Sequence, residues 1–321
     1  MHELSVRKEG FVEMAFVGGT PWHGLGQKLS ESSSIEDWKK QAGMDWNIHQ
    51  AKVQFSPTKD STANFDGNQV LFRSDTKQPL SIVSDDYRIV QPGEVLEFFR
   101  DLVGQAGMNL ETAGVLFGGR RFWAMANTGK FGVVNKKDTI KGNLLLTTSC
   151  DGTLATNALF TSVRTVCNNT LRLALNAKDD GRVRVTHSST FDPAKIKAQL
   201  GLIDQAWDNF LEQVNSLTKI KLTDKAAGSF FYELFADPNK DSKDQSFAVF
   251  RSVDDLMQRY KNGMGADMSY GTAWGAANAV TEYASHSGRG GADQKLWGSF
   301  YGKKARFAED AYAKLIETVG V

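Results

Sequence analysis

The chain has 321 residues, of which 41% are hydrophobic and 23% charged, with a formal net charge of +1. That length buries a sizeable core as one large domain or two ordinary ones, and that balance excludes a disordered or fibrous chain. No apolar run approaches the ~20 residues of a membrane span, and the start MHELSVRKEG lacks the apolar core of a secretory signal, so a cytoplasmic protein without membrane contact is expected.

The two cysteines, Cys150 and Cys167, do not make a disulfide framework. The five histidines (His2, His23, His49, His187 and His286) are scattered, with no CxxC or HxxxH spacing, so neither a metal site nor a cofactor is expected. The near-neutral total hides an asymmetry. Between Gly118 and His187 eleven basic residues stand against four acidic ones, a net +7 that leaves −6 for the rest of the chain. A basic segment inside an acidic whole is either a chance of composition or the electrostatic footprint of a polyanion partner.

In chain order, GGTPWHGLGQKL near the start reads as an ordered loop with Trp22 as a core anchor. Its glycines match neither GxGxxG nor a phosphate-binding Walker sequence. Ser34 caps a short helix, Ile35 to Ala42, with Asp37 in the first turn. From Trp46 to Val90 the pattern is strand-like: WNIHQAKVQF, a turn at Asp66-Gly67, then QVLFRS and LSIVS, followed by Asp85-Asp86 as a solvated turn. Pro92 suits the first turn of an amphipathic helix that carries Val95, Leu96, Phe98, Phe99, Leu102 and Val103 to about Ala106. Two strands follow, Asn109 to Phe117 and Arg120 to Asn127, joined by Gly118-Gly119. Alternation places Arg121, Trp123 and Met125 on one face of the second. The basic stretch Thr128 to Lys141 reads as a long hairpin connection.

The densest set of consistent signals is Gly142 to Asn176. Leu144 to Ser149 and Leu154 to Ser162 form strands around the turn dipeptide Asp151-Gly152. After Val163 apolar residues recur at three- and four-residue spacing (Val166, Cys167, Thr170, Leu171, Ala174), which predicts a helix whose polar stripe carries Arg164, Asn168 and Arg172. Asp179 to His187 adds a short basic strand or arm containing Arg182 and Arg184. Beyond Thr190 the chain turns helical, with segments expected from Asp192 through Leu217, over Asp224 to Phe235, Val253 to Tyr260, Thr272 to Ser285 and Lys303 to Thr318. The expected fold is therefore α+β: a mostly antiparallel, twisted sheet of hairpins backed by helices over residues 1–190, followed by an all-helical part over 191–321.

ETAGVLFGGRRFWAMA, LLLTTSCDGTLATNALFTSVRTVCNNTL, TPWHGLGQKL and GTAWGAANAVTEYASH resemble the phage/plasmid-like family known as domain of unknown function 932, from about His2 to Leu315. That resemblance implies mobile genetic elements and a bacterial cytoplasm, and brings no assigned activity. The order helix, long hairpins with an Asp-Gly turn, helix is also similar to the core of single-strand annealing proteins. By that likeness Val95 to Ala106 is the leading helix and Arg164 to Ala174 the helix behind the sheet.

These readings lead to a non-enzymatic single-stranded DNA binding and annealing protein of a phage or plasmid, acting in recombination as a ring or filament of identical copies. Its cationic groove is expected from Arg120, Arg121, Lys130, Lys136, Lys137, Lys141, Arg164, Arg172, Arg182 and Arg184. Phe122 or Trp123 offers a stacking face, against the alternative that Trp123 is core. A second reading is a metal-dependent nucleic-acid-processing enzyme drawing on Asp85, Asp86, Asp151, Glu111 and His23. A third is a counter-defence or interaction factor using the aromatic residues of the acidic half, Trp207, Phe230, Phe231, Tyr232 and Phe235.

Overall fold

A computed structural model describes residues 6, 10–19, 25–105, 107–134, 138–164, 170–172, 182–185, 202–287, 294, 297–298 and 301–321. Trp22, His23, Lys136, Lys137, Cys167 and Asn168 lie outside these residues. The chain is α+β, as expected, and its described C-terminal part is helical.

The centre is an eight-stranded sheet. Its long members are β6 (Asn109–Leu116), β7 (Arg121–Val134), β8 (Asp138–Ser149) and β9 (Thr156–Arg164), a run of antiparallel neighbours. On the β6 side stand β1 (Met14–Val17), antiparallel to β6, and β2 (Gln27–Leu29), parallel to β1. Beyond β9 lie β10 (Thr170–Arg172) and β11 (Arg182–Val185), both antiparallel to it.

The turn between β6 and β7 is a short 3-10 segment, Phe117–Gly119, in which all three residues have positive φ. Glycine is needed at 119 for a second reason: a Cβ there would stand 2.8 Å from the Trp46 ring.

Two expectations for this region are corrected. Thr128 to Lys141 is not a loop. After a register shift between Asn127 and Phe131 the β7–β8 ladder resumes through Val134 and Asp138. Gly129 at φ +75 supplies the bulge, and Thr128 Oγ1 donates across it to Gly142 O at 2.6 Å. Of the helix predicted at 163–174, the described residues 163–164 and 170–172 are strand instead, and 165–169, 173 and 174 lie outside the described residues. Val163 and Arg164 end β9, and Thr170, Leu171 and Arg172 pair back onto Val163, Ser162 and Thr161. Val163 and Thr170 are branched at Cβ, which lowers helix propensity while suiting a pleated surface. Pairing also covers the β9 edge, which a helix would have left unsatisfied. The likeness to annealing proteins counted that helix among its elements, and the described residues do not supply it.

A second sheet has three strands in the order β3 (Ile48–Thr58), β4 (Ser61–Arg73), β5 (Pro79–Ser84). The expected turn at Asp66-Gly67 is instead a bulge inside β4: the register jumps from Lys52↔Gln69 to Val53↔Phe65, and Gly67 takes φ +82. The same left-handed residue that a tight turn needs serves a bulge equally well. The actual reversal falls at Lys59-Asp60, between paired Thr58 and Ser61.

The two sheets are joined by a buried guanidinium. Arg73, at the end of β4, bonds Glu13 through Nη1 and Nη2 at 3.1 and 2.6 Å, and Asp75 through Nε and Nη2 at 3.0 and 2.8 Å. Its Nη1 also donates to Gly118 O at 3.2 Å, and its guanidinium lies 4.1 Å from the centre of the Trp46 ring.

Helices cover one face of the large sheet. Helix α1 (Ile35–Gln41) starts on the expected Ser34 cap, completed as a capping box by Asp37. Helix α2 (Pro92–Gln105) buries Val95, Leu96, Phe99, Leu102 and Val103. The remaining helices are α3 (Leu202–Lys219), α4 (Asp224–Glu233), α5 (Phe247–Asn262), α6 (Ala266–Ser269), α7 (Ala273–His286) and α8 (Lys303–Val319). One hydrophobic cluster runs without a break from Trp46 and Phe99 through Phe122, Leu144 and Phe160 to Trp207, Phe231, Tyr260 and Trp274. It crosses the expected boundary at residue 190. No helix among the described residues is long and apolar enough to cross a membrane.

Candidate nucleic-acid interface

The cross-strand register of β7, β8 and β9 divides the central sheet into two faces. Phe122, Ala124, Leu144, Leu146, Ala158 and Phe160 meet the helices in the main core. The opposite face is built in rows. One row runs Asn127, Asn143, Thr161, Arg172; the next Met125, Leu145, Leu159, Arg182; the next Trp123, Thr147, Asn157, Arg184. An apolar row is thus flanked by two polar ones, and each of the three ends on an arginine position at the β9 edge. For Arg164, Arg172, Arg182 and Arg184 the structure describes strand positions. Arg164 stands opposite Ile140, in register with the core-facing set.

This face is lined with buried polar groups: Asn143, Thr147, Ser149, Asn157 and Thr161 are all almost fully buried. Thr161 Oγ1 donates to Asn143 O at 3.3 Å, and Thr147 and Tyr301 share a short hydroxyl–hydroxyl bond. The amide nitrogens of Asn143 and Asn157 reach Met125 Sδ and Ala155 O. Among the described residues their Oδ1 atoms have no donor. Sequence reasoning missed these five polar residues. Their signal was period-2 polarity opposite Leu144, Leu146, Ala158 and Phe160, interrupted by Leu145 and Leu159.

The predicted basic residues do not all converge. Arg120 and Arg121 diverge at the β6–β7 turn. Arg120 is exposed, its Nε donating to Phe117 O at 3.2 Å. Arg121 lies 4.1 Å over the Trp297 ring and 5.1 Å from that of Phe117. Burial lowers the Arg121 pKa from its ordinary value, opposed by the charge of Asp151. Lys130 is half-buried after the bulge. Lys141 pairs with Glu111 at 3.4 Å, and Glu111 also accepts from Asn127 Nδ2 at 2.8 Å. Trp123 belongs to the packed interior with Met14, Leu116, Leu145 and Leu159, which leaves it no open stacking face. Phe122 is fully buried in the main core. The exposed ring near this region is Phe131, on β7 beyond the bulge, 69% exposed.

Residues 79–316 match a known protein family. The chain belongs to the family described as Domain of unknown function (DUF932). The DUF932 match takes in β5 to β11 and the helices from α2 through most of α8, while β1 to β4, α1 and the early TPWHGLGQKL motif lie outside it. No curated protein and no solved structure matches the chain.

The carboxylates proposed for catalysis occupy separate places in this DUF932 chain. Asp85 and Asp86 are exposed after β5. Asp151 turns the β8–β9 hairpin, accepting from Thr153 N at 3.0 Å. Glu111 is in the pair with Lys141. Among the described residues no group of three or more His, Cys, Asp or Glu side chains is placed to hold a metal ion. The aromatic residues of the helical half pack inward: Trp207, Phe230 and Phe231 are core, Tyr232 meets Phe250, and Phe235 stacks on Phe307 at 5.2 Å.

Cys150 lies at the end of β8 with its Sγ 3.3 Å from Gly119 O. Burial, reinforced by the neighbouring Asp151 charge, pushes its thiol up to about 12. Because the thiolate is the reactive form, native protein at pH 8 should leave Cys150 unlabelled by iodoacetamide. Peptide mapping should find the label at Cys150 only after denaturation. Rapid labelling of the folded chain at this residue would contradict the burial.

Proposed function

We propose that this protein binds single-stranded nucleic acid without catalysing a reaction, and anneals complementary strands in the recombination of a phage or plasmid. The observation that supports this best is the placement of Arg172, Arg182 and Arg184 along one edge of β9, each closing a cross-strand row. Arg182 and Arg184 are two apart on an extended strand, so their Cα atoms are ~6.7 Å apart along it, and Arg172 extends the line on β10. A line of arginine positions on an extended scaffold suits an extended polyanion, because an arginine can neutralise one phosphate and release its counterion.

The test is fluorescence anisotropy with labelled single-stranded oligonucleotides over a salt series. Affinity should fall steeply with salt, with a log–log slope of about −0.7 for each phosphate neutralised. Replacing both Arg182 and Arg184 by alanine should flatten that slope by about 1 to 1.5 and weaken binding evenly across sequences. An unchanged melting temperature would show that the doubly substituted chain is folded. Absence of binding at about 10 mM salt, where the electrostatic attraction is strongest, would overturn the proposal. Adding the complementary strand then asks about annealing: duplex formation no faster than without protein would remove that part.

A further inference from the structure

The uncovered edges of the two sheets are very unequal. In the large sheet the outer strands β2, β10 and β11 have three, three and four residues. In the small sheet β5 has six and β3 has eleven. Short edges are a common protection against pairing with another chain. β3 lacks that protection, and it lacks most of the others. It pairs only with β4 among the described residues, the β4 bulge does not interrupt it, and it carries one lysine, Lys52; its own register irregularity, between Phe55 and Thr58, and its proline, Pro57, are confined to its far end. Apart from Ile48 and Val53 all of its residues are exposed.

The face that β3 and β4 turn outward is apolar as well. Alternation puts Ala51, Val53 and Phe55 on one side of β3, opposite Val70, Phe65 and Ala63 on β4, with Ile82 of β5 next to Val70. Phe55, Phe65 and Ile82 are 49%, 53% and 62% exposed. The reverse side carries Gln50 opposite the buried Leu71, and Gln54 bonded to Asn64 at 3.0 Å.

We propose that two copies of the chain pair antiparallel through the β3 edge about a two-fold axis at Val53, fusing their small sheets into one. The strand is its own complement. Ile48 to Thr58 has Val53 as its middle residue, so a two-fold axis there centres the pairing on the regular segment Ala51 to Phe55, short of the irregularity and Pro57 at the far end. Val53 then faces itself, Ala51 of one copy faces Phe55 of the other, and Lys52 faces Gln54. No like charges are opposed. An axis one residue earlier would set Lys52 against itself, which is unfavourable. The pairing is isologous and closed, so it makes a dimer rather than the ring or filament expected from the sequence. It rests on β3 alone and is independent of the nucleic-acid proposal.

Light scattering on the full chain at about 100 µM should give twice the 35.4 kDa chain mass. Val53→Lys places two cations on the axis and should halve the mass with little change in melting temperature, because its side chain lies on the outer face. Ile82→Lys lies on the same face but off the β3 edge, and should remain dimeric. Val53→Cys should form a covalent dimer under oxidation that dithiothreitol reverses and the native chain does not form. Opposed residues in an antiparallel pair have Cα atoms about 4.5–5.5 Å apart, within the range a disulfide spans. A native chain of monomer mass would overturn the proposal. So would a native assembly that Val53→Lys leaves intact and Val53→Cys does not cross-link.

Discussion

Replacing Arg73 by alanine should cost about 3–5 kcal/mol of folding stability, the range for breaking a buried ion pair from one side. The side chains of Arg73 and Glu13 are 3% and 2% exposed, so the substitution strips a nearly dry carboxylate of the guanidinium that balances it. Burial alone would lower the Arg73 pKa; hydrogen bonds to Asp75 and Glu13 more than reverse this and raise it above its ordinary value. Arg73→Lys should not rescue the loss, because a point ammonium cannot form two-pronged contacts with both carboxylates while lying flat on Trp46. The double change Arg73→Met with Glu13→Gln should recover much of it, since neither buried charge then remains. Urea unfolding followed by circular dichroism is the measurement. A lower midpoint at unchanged slope is expected. A loss below about 1 kcal/mol for Arg73→Ala would mean that the pair does not secure the two sheets to each other.

Trp274→Ala should be comparably damaging, about 3–5 kcal/mol, and Trp274→Phe should cost about 1–3. Trp274 opens α7 and is 5% exposed in the core. Its Nε1 donates to Asp138 Oδ2 at 3.0 Å, and Asp138 is the buried first residue of β8. Alanine removes both the indole's packing and its donor. Phenylalanine keeps most of the apolar contact but takes one donor from a buried carboxylate. The ranking of the two variants in thermal melts is the check: equal losses would assign the whole effect to the lost hydrogen bond, and a negligible loss for phenylalanine would assign it to ring volume. Because this bond ties the helical half to the β7–β8 hairpin, the native chain should melt in one transition.

Much of the fold was legible from local signals. Ser34 with Asp37, Pro92 before an apolar helical face, and Gly118-Gly119 between two alternating runs each specify a backbone conformation without help from distant residues. The C-terminal helices were legible for the same reason, through their 3.6-residue periodicity. The errors lie where an outside contact decides between local options. Val163 to Ala174 fits a helical spacing, but an unpaired β9 edge next to it converts Thr170 to Arg172 into a strand. Asp66-Gly67 has the chemistry of a turn, and only the β3 register makes it a bulge. For the candidate site, Arg182 and Arg184 were legible as a basic strand, whereas the rows that end on them exist only once β7, β8 and β9 are aligned. The pairing of Arg73 with Glu13, 60 residues away, left no trace in the sequence.

The bulge in β4 has a mechanical consequence. Asp66 and Gly67 take no place in the ladder with β3 or β5, so the ribbon beyond them is decoupled from the part that carries Leu71 and Arg73. Slack placed there lets the distal hairpin be lengthened, shortened or tilted without sliding the inner residues out of alignment. Deletions made in matched pairs beyond the slack should therefore leave the anchorage between the sheets intact, and the arm's reach becomes a quantity that can vary on its own.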